Sequence, residues 1–321
     1  MKIKNLKLKI IFCLFAICYL LFAAPVKAQE ISVGIDPPII QIETKTPARI
    51  KTPVTIQNAS DQTVTYNIFL FSFKPGKSNN GQPEFDNNLS DDYKKIFSRI
   101  KILDENRSLT EITLAPKQKK ELNLSISVSK DDVPKDYYFS VVFISQELDY
   151  TKENSSLGAR AGIGTNILLA IGPKSLTQGH IEEFSAPKFV NSGPVKFKLN
   201  VANTSKHFVT IKGNLVIKNM FGQVVGNIDL VPANILAESN RLIESSDNKN
   251  SLEPRVNWNE KFLLGIYKAD LTLALSDEGP LLRKSLTFFA FPAQAIILIL
   301  LAVALLIGVI RRARSKSDST S

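Results

Sequence analysis

The sequence predicts an all-β protein, two antiparallel β-sandwiches followed by one C-terminal transmembrane helix, and three observations carry that expectation. Between residues 29 and 291, apolar side chains recur at every second position in short runs rich in Val, Ile, Thr and aromatics. Clusters of Pro, Gly, Asn and Asp interrupt those runs at intervals that suit turns. Long uncharged apolar stretches are confined to the two extremities. A period of two places alternate side chains on one face of a strand, so each run can bury one face and wet the other.

The N-terminus opens with Lys2, Lys4, Lys7 and Lys9, continues as an apolar run from Ile10 to Ala24, and places Val26 and Ala28 where small residues precede a cleavage site. This pattern predicts a secretory signal peptide over residues 1–28, cleaved between Ala28 and Gln29. Two alternatives are weaker. A retained signal anchor needs a run of ~20 residues, longer than this one. A lipoprotein signal at Cys18 would follow Ile17, where a small residue is wanted. At the other end, residues 292–310 read as a membrane span. Ala293 to Ile310 carries no charge, and eighteen residues at ~1.5 Å each approach the thickness of a hydrocarbon core. Phe288, Phe289 and Phe291 stand where an interfacial belt would lie, and Pro292 suits a first helical turn. Arg311, Arg312 and Arg314 open a basic tail, residues 311–321, and place it in the cytoplasm by the positive-inside rule. A buried core helix is the alternative. The expected placement is therefore a single-pass type I protein of a bacterial plasma membrane, with its N-terminus outside and residues 293–310 as the anchor.

Composition narrows the function. Both cysteines, Cys13 and Cys18, lie in the leader, which leaves the rest of the chain without disulfides, thiolate metal sites or a cysteine nucleophile. The net charge of +10 is a terminal effect. Five of the 40 basic residues belong to the leader and four to the tail, with one of the 30 acidic residues, leaving 31 basic and 29 acidic residues between them. Nucleic-acid binding is excluded on that balance.

The first sandwich is expected over residues 29–172. Residues 49–57 place Ile50, Val54 and Ile56 on one face, and Asn58-Ala-Ser-Asp61 is a turn. Strands follow at residues 63–73, 111–114, 121–128, 137–148 and 161–171. An insertion at residues 74–100 interrupts them. Its Gly-, Asn- and Ser-rich part, residues 74–88, reads as an exposed loop and the best candidate contact region. Ser90 then caps a short helix whose Tyr93, Ile96, Phe97 and Ile100 form one apolar stripe that closes an end of the sandwich. Residues 173–180 read as a linker. The second sandwich, residues 181–291, is expected from strands at residues 195–202, 209–217, 224–230, 265–275 and 281–291. A faint internal echo links the halves. Asn58 and Asn203 each end an alternating strand before a polar turn, and Tyr137 and Tyr267 each begin a late strand.

This architecture, two Ig-like modules behind a signal peptide and ahead of one anchor, resembles the WxL-interacting, peptidoglycan-binding surface proteins of Gram-positive bacteria. The matching stretches are Ile39 to Asn58, Leu114 to Lys120, Val133 to Tyr138 and Gly265 to Tyr267. An uncharacterised family of the same build fits equally well. The lone tryptophan, in Trp258-Asn-Glu260, forms no Trp-x-Leu motif. The resemblance implies binding to cell-wall glycan or to a surface partner protein, and it transfers no residue.

No constellation names a reaction, so no catalytic, cofactor or metal residue is expected. His180 falls in the linker and His207 in a turn, too far apart in the pattern to suggest a shared metal. Ser127 and Lys130 have the Ser-x-x-Lys spacing of acyl-serine enzymes, but on a strand rather than a helix start. Gly162 and Gly164 lack the third glycine of a dinucleotide fingerprint. Asp86, Asp91 and Asp92 could attract calcium without the spacing of an EF-hand. Tyr137, Tyr138 and Phe139 could form an aromatic platform or could pack in a core. The expected function is a non-enzymatic, membrane-anchored extracellular module. Two alternatives remain: a surface hydrolase acting on wall polymer, and an accessory subunit of a membrane complex packing through Ala302, Ala304 and Gly308.

Overall fold

The computed structural model describes residues 32–86, 88–146, 162–173, 176–248, 253–292, 297 and 301–308. The first sandwich is built from β1 (Val33–Asp36), β2 (Ile39–Thr44), β3 (Ala48–Asn58), β4 (Val64–Pro75), β5 (Pro83–Asp86), a short helix α1 (Asp91–Phe97), β6 (Ile100–Asp104), β7 (Arg107–Leu109), β8 (Glu111–Leu114), β9 (Lys119–Val128), β10 (Asp136–Ser145) and β11 (Gly162–Ile171). One sheet runs β1-β3-β9-β6-β7. The other runs β2-β11-β10-β4-β5, with β8 also on β4. Alternation decides the packing. Val54 and Ile56 on β3, Leu122, Leu124 and Ile126 on β9, and Tyr137, Phe139, Val141 and Phe143 on β10 all turn inward into one core. The helix contributes Ile96 to that core, and Tyr93 and Phe97 meet Tyr137 and Phe139 edge-on. Ile96, Tyr93 and Phe97 thus face the first core together, while Ile100 belongs to β6.

The second sandwich comprises β12 (Gly179–Ser185), β13 (Phe189–Val190), β14 (Val195–Asn203), β15 (Val209–Asn219), β16 (Val224–Asp229), β17 (Ala233–Ile235), β18 (Ser239–Leu242), β19 (Val256–Trp258), β20 (Gly265–Ala274) and β21 (Leu281–Ala290). Its sheets run β12-β14-β18, with β19 on β14, and β13-β21-β20-β15-β16, with β17 on β15. Both modules share one device. The first strand is split, so that β1 and β12 pair antiparallel with β3 and β14, while β2 and β13 cross over and pair parallel with the last strands, β11 and β21.

The echo seen in the sequence is a duplicated polar core. Asn58 is buried, and its Nδ2 donates to the carbonyls of Gln62, Leu114 and Ala115 at 2.6, 3.1 and 3.0 Å, while its Oδ1 accepts from Ser60 N–H. Asn203 repeats this step for step. Its Nδ2 donates to the carbonyls of His207, Ile235 and Leu236 at 2.9, 3.1 and 3.0 Å, and its Oδ1 accepts from Ser205 N–H. In both cases a side-chain amide substitutes for a missing strand partner. It satisfies backbone groups that burial would otherwise leave unpaired. Tyr137 and Tyr267 are likewise matched, each hydroxyl donating to a carbonyl just upstream, of Val133 and of Leu264.

Three expectations are corrected. No helix among the described residues is long and apolar enough to cross a membrane. Within the expected anchor the structure describes residue 297 and a helical stretch at residues 301–308, and the remainder of residues 293–310, like the leader and the tail, lies outside the described residues. The transmembrane helix, and with it the single-pass type I placement in the plasma membrane, is not supported. The loop at residues 74–88 is half strand. Pro83 to Asp86 forms β5 and pairs with β4 across the loop of residues 76–82, with Phe85 opposite Phe73. Finally, β12 already begins at Gly179, so His180 is an exposed strand residue rather than a linker residue.

Candidate interdomain site

Where the two sandwiches meet, apolar and polar side chains of both modules come together. Alternation on β4, β10 and β11 sends Phe73, Tyr138 and Leu168 away from the first core, on the outer face of that sheet. There they pack with Ala170 and with Phe208 and Leu236 of the second module. Burying such side chains stabilises the junction by about 1.5–3 kcal/mol each. Phe73 and Tyr138 stack with their ring centroids 6.0 Å apart.

A polar clasp reinforces this cluster. Asp136, 9% exposed at the start of β10, accepts from Phe208 N–H at 2.7 Å and from the Tyr138 hydroxyl at 2.5 Å, and faces His207 Nδ1 at 2.6 Å. The Tyr138 hydroxyl accepts in turn from Ala237 N–H at 3.0 Å. Burial, followed by the Asp136 charge, pushes the Tyr138 hydroxyl far above the ordinary phenol range. It therefore stays a neutral donor at any ordinary pH. Further bonds cross the junction, from the Thr210 hydroxyl to Gln41 Oε1 at 3.1 Å and from Leu242 N–H to the Asn79 carbonyl at 2.7 Å. The turn of the β4–β5 hairpin is thus an interdomain brace and not a free loop.

Next to the clasp lies a cavity of about 70 Å³, with Ile39, Phe73 and Leu168 on one side and Leu236 and Arg241 on the other. The outer face of the β2-β11-β10-β4-β5 sheet leads away from it. On that face Phe71 touches both Phe69 and Phe85, with ring centroids 6.0 and 5.7 Å apart, and Phe69 and Phe85 are 43% and 52% exposed. Opposite Phe69, Val142 pairs with Gly164, so the sheet offers bare backbone beside the rings. This aromatic face belongs to alternate positions of β4, the same alternation that built the core. Its exposure is legible only once the second sheet is seen to cover the other side.

The residues weighed from the sequence end up dispersed. His207 joins the clasp and His180 stands on β12. Ser127 lies in β9, and Lys130 follows it in a turn. Asp91 pairs with Lys94 at 2.9 Å, Asp92 with Lys135 at 3.1 Å, and Asp86 accepts from Asn88 N–H at 3.0 Å, so the three carboxylates serve three separate contacts. Tyr137 and Phe139 are core residues and Tyr138 is an interdomain one, so they form no platform. Gly162 and Gly164 sit in β11. Arg241 and Asp136 carried no sequence signal, because each gains its role only from the other module.

No family model matches the sequence, and no curated protein matches it. Solved structures do. The Escherichia coli chaperone DraB is 8% identical, covering 79% of this chain and 96% of that one, with a TM-score of 0.38. The CsuC–CsuE chaperone–tip adhesion subunit complex of Acinetobacter baumannii is 14% identical, covering 66% and 89%, with a TM-score of 0.34. The Salmonella enterica SafA pilin in complex with the SafB chaperone is 10% identical, covering 81% and 98%, with a TM-score of 0.33. At these values the similarity transfers no residue and assigns no ligand. The three structures are of chaperones, two of them in complex with a tip adhesion subunit or a pilin, and none is a WxL-interacting, peptidoglycan-binding protein; that expected resemblance, the cell-wall glycan partner, the wall-polymer hydrolase and the membrane-complex subunit find no support.

Proposed function

We propose that this chain is a non-catalytic polypeptide-binding protein, which receives an extended segment of a partner along the outer face of the first sandwich. The observation that carries the reading is the aromatic face of Phe69, Phe71 and Phe85, open to solvent at the β5 edge and next to Phe73, which pairs with Phe85 and lines the interdomain cavity. An extended peptide can add to a short sheet edge through its backbone while alternate side chains rest on such rings. The clasp around Asp136 holds the two modules in one relation, which keeps the face preorganised. The chaperone complexes with an adhesin subunit and a pilin name the first partner class to try, a subunit of a surface fibre. The test is to pan a displayed library of random dodecapeptides against the immobilised full chain. Enriched peptides should carry apolar residues at alternate positions and lose at least tenfold in affinity for a Phe71→Ser, Phe85→Ser double variant. No enrichment, or undiminished binding to the variant, would refute the reading.

A further inference from the structure

The loop between β4 and β5 carries the single Asn-Gly pair of the chain, Asn80–Gly81. The second module makes glycine necessary there. Arg241, whose Nη1 donates to the Asn234 carbonyl at 2.8 Å, lies against Gly81, so that a Cβ at that position would collide with the guanidinium. Gly81 also has a φ of +85°, which disfavours any L side chain. The residue after Asn80 is therefore bare, and its nitrogen is open to approach. The Gly81 N–H has no acceptor among the described residues. Gly81 and Gln82 are exposed, so water reaches the pair.

The Asn80 side chain is held and polarised beside this nitrogen. Its Oδ1 accepts from the Ser78 hydroxyl at 2.7 Å and from Gln82 N–H at 3.1 Å. The second bond closes a turn that encloses the Gly81 amide and folds the side chain back along the backbone. Both bonds draw charge to Oδ1 and leave Cγ electron-poor, and both stabilise the negative charge that develops on Oδ1 when Cγ is attacked. We propose that Asn80–Gly81 is a self-modification site, where the side-chain amide becomes a carboxylate with water as the only co-reactant. The Gly81 nitrogen loses its proton to solvent and bonds to Asn80 Cγ. The electron pair pushed onto Oδ1 returns as the Cγ–Nδ2 bond breaks, and Nδ2 takes up a proton and leaves as ammonia. Water then opens the five-membered imide. Opening at Cγ restores the backbone and leaves an aspartate; opening at the main-chain carbonyl leaves an isoaspartate, whose main chain runs through Cβ and Cγ and is one carbon longer. The longer loop moves the Asn79 carbonyl off Leu242 N–H, whose 2.7 Å bond spans the junction. The brace between the modules thus loosens irreversibly as the protein ages.

The proposal is independent of the polypeptide-binding reading, since no partner takes part. It is tested on the full chain, incubated at neutral pH for weeks and sampled by tryptic digestion and mass spectrometry. One tryptic peptide, residues 78–94, carries Asn79, Asn80, Asn87 and Asn88, and only Asn80 precedes a glycine. Conversion should occur at Asn80 alone, with isoaspartate among the products. Ser78→Ala, which removes one donor to Oδ1, should slow it about fivefold. Chains enriched in the isoaspartate form should unfold about 2–4 °C below fresh ones. Asn80→Ser, which has no amide to lose, should keep its midpoint through the same incubation. An intact Asn80, equal conversion at the other three asparagines, an unaltered rate in Ser78→Ala, or an unchanged midpoint after conversion would overturn the proposal.

Discussion

Replacement of Asn58 by alanine is the perturbation whose size follows most directly from the structure. The change deletes three donated bonds, to the carbonyls of Gln62, Leu114 and Ala115, and two accepted ones, from the backbone and hydroxyl of Ser60. Alanine supplies neither donor nor acceptor, and the surrounding strands are held by their own ladders and cannot close on the gap. At about 1 kcal/mol for each bond lost, the cost is roughly 3–5 kcal/mol, among the largest effects a single residue produces. Asn203→Ala removes the matching set in the second module and should cost a similar amount. The lone tryptophan makes the two variants distinguishable. Trp258 is buried in the second core, so its fluorescence reports that module, while far-ultraviolet circular dichroism reports both. In urea, Asn203→Ala should lower the fluorescence midpoint directly, and Asn58→Ala should lower the dichroism midpoint first. A loss below 1 kcal/mol in either variant would show that water replaces the amide, and the argument that these carbonyls depend on a side chain would fail.

Tyr66 is enclosed in the first core with a hydroxyl that has no partner among the described residues, so Tyr66→Phe should leave stability unchanged or raise it by up to about 1 kcal/mol in the same urea assay. Asp136→Ala strips the Tyr138 hydroxyl, Phe208 N–H and His207 of their shared acceptor; a loss of about 3 kcal/mol should appear as separation of one unfolding transition into two, with a broadened distance distribution in small-angle scattering. The Ser285 hydroxyl, followed by Lys268 and Lys218, holds the Asp270 carboxyl down at about 2. Because that folded value lies below the unfolded one near ~3.9, the stabilisation is present above about pH 4 and fades as the pH falls towards 2. Carbon-detected titration should place Asp270 there and show it moving upward in Ser285→Ala.

How much of this was legible in the sequence depended on whether a residue acts within its own strand. Val54 and Ile56, Leu122 to Ile126 and the stripe on α1 are local patterns, and the strands they predicted formed with small shifts at their ends. Short strands such as β5, β7, β13, β17 and β19 escaped notice because two to four residues show no period, and partners distant in sequence define them. Asn58 and Asn203 were visible as an echo, but their shared task was not, since the carbonyls they serve lie far along the chain. The junction was the least legible part. Asp136, His207 and Arg241 are ordinary polar residues in one dimension, and the hairpin turn around Gly81 read as a free loop because nothing local shows that the second module lies against it.

The split first strand has a mechanical consequence. In each module the second half of the split first strand runs parallel to the last strand, so a pull on the two ends drags these strands past one another. All their bonds then bear the load together instead of parting one by one. Six residue pairs share that load between β2 and β11, against two between β13 and β21. Stretched in an optical trap, the second module should rupture first and at lower force, and the first should survive as the stiffer link; the reverse order would show that the load travels by another path.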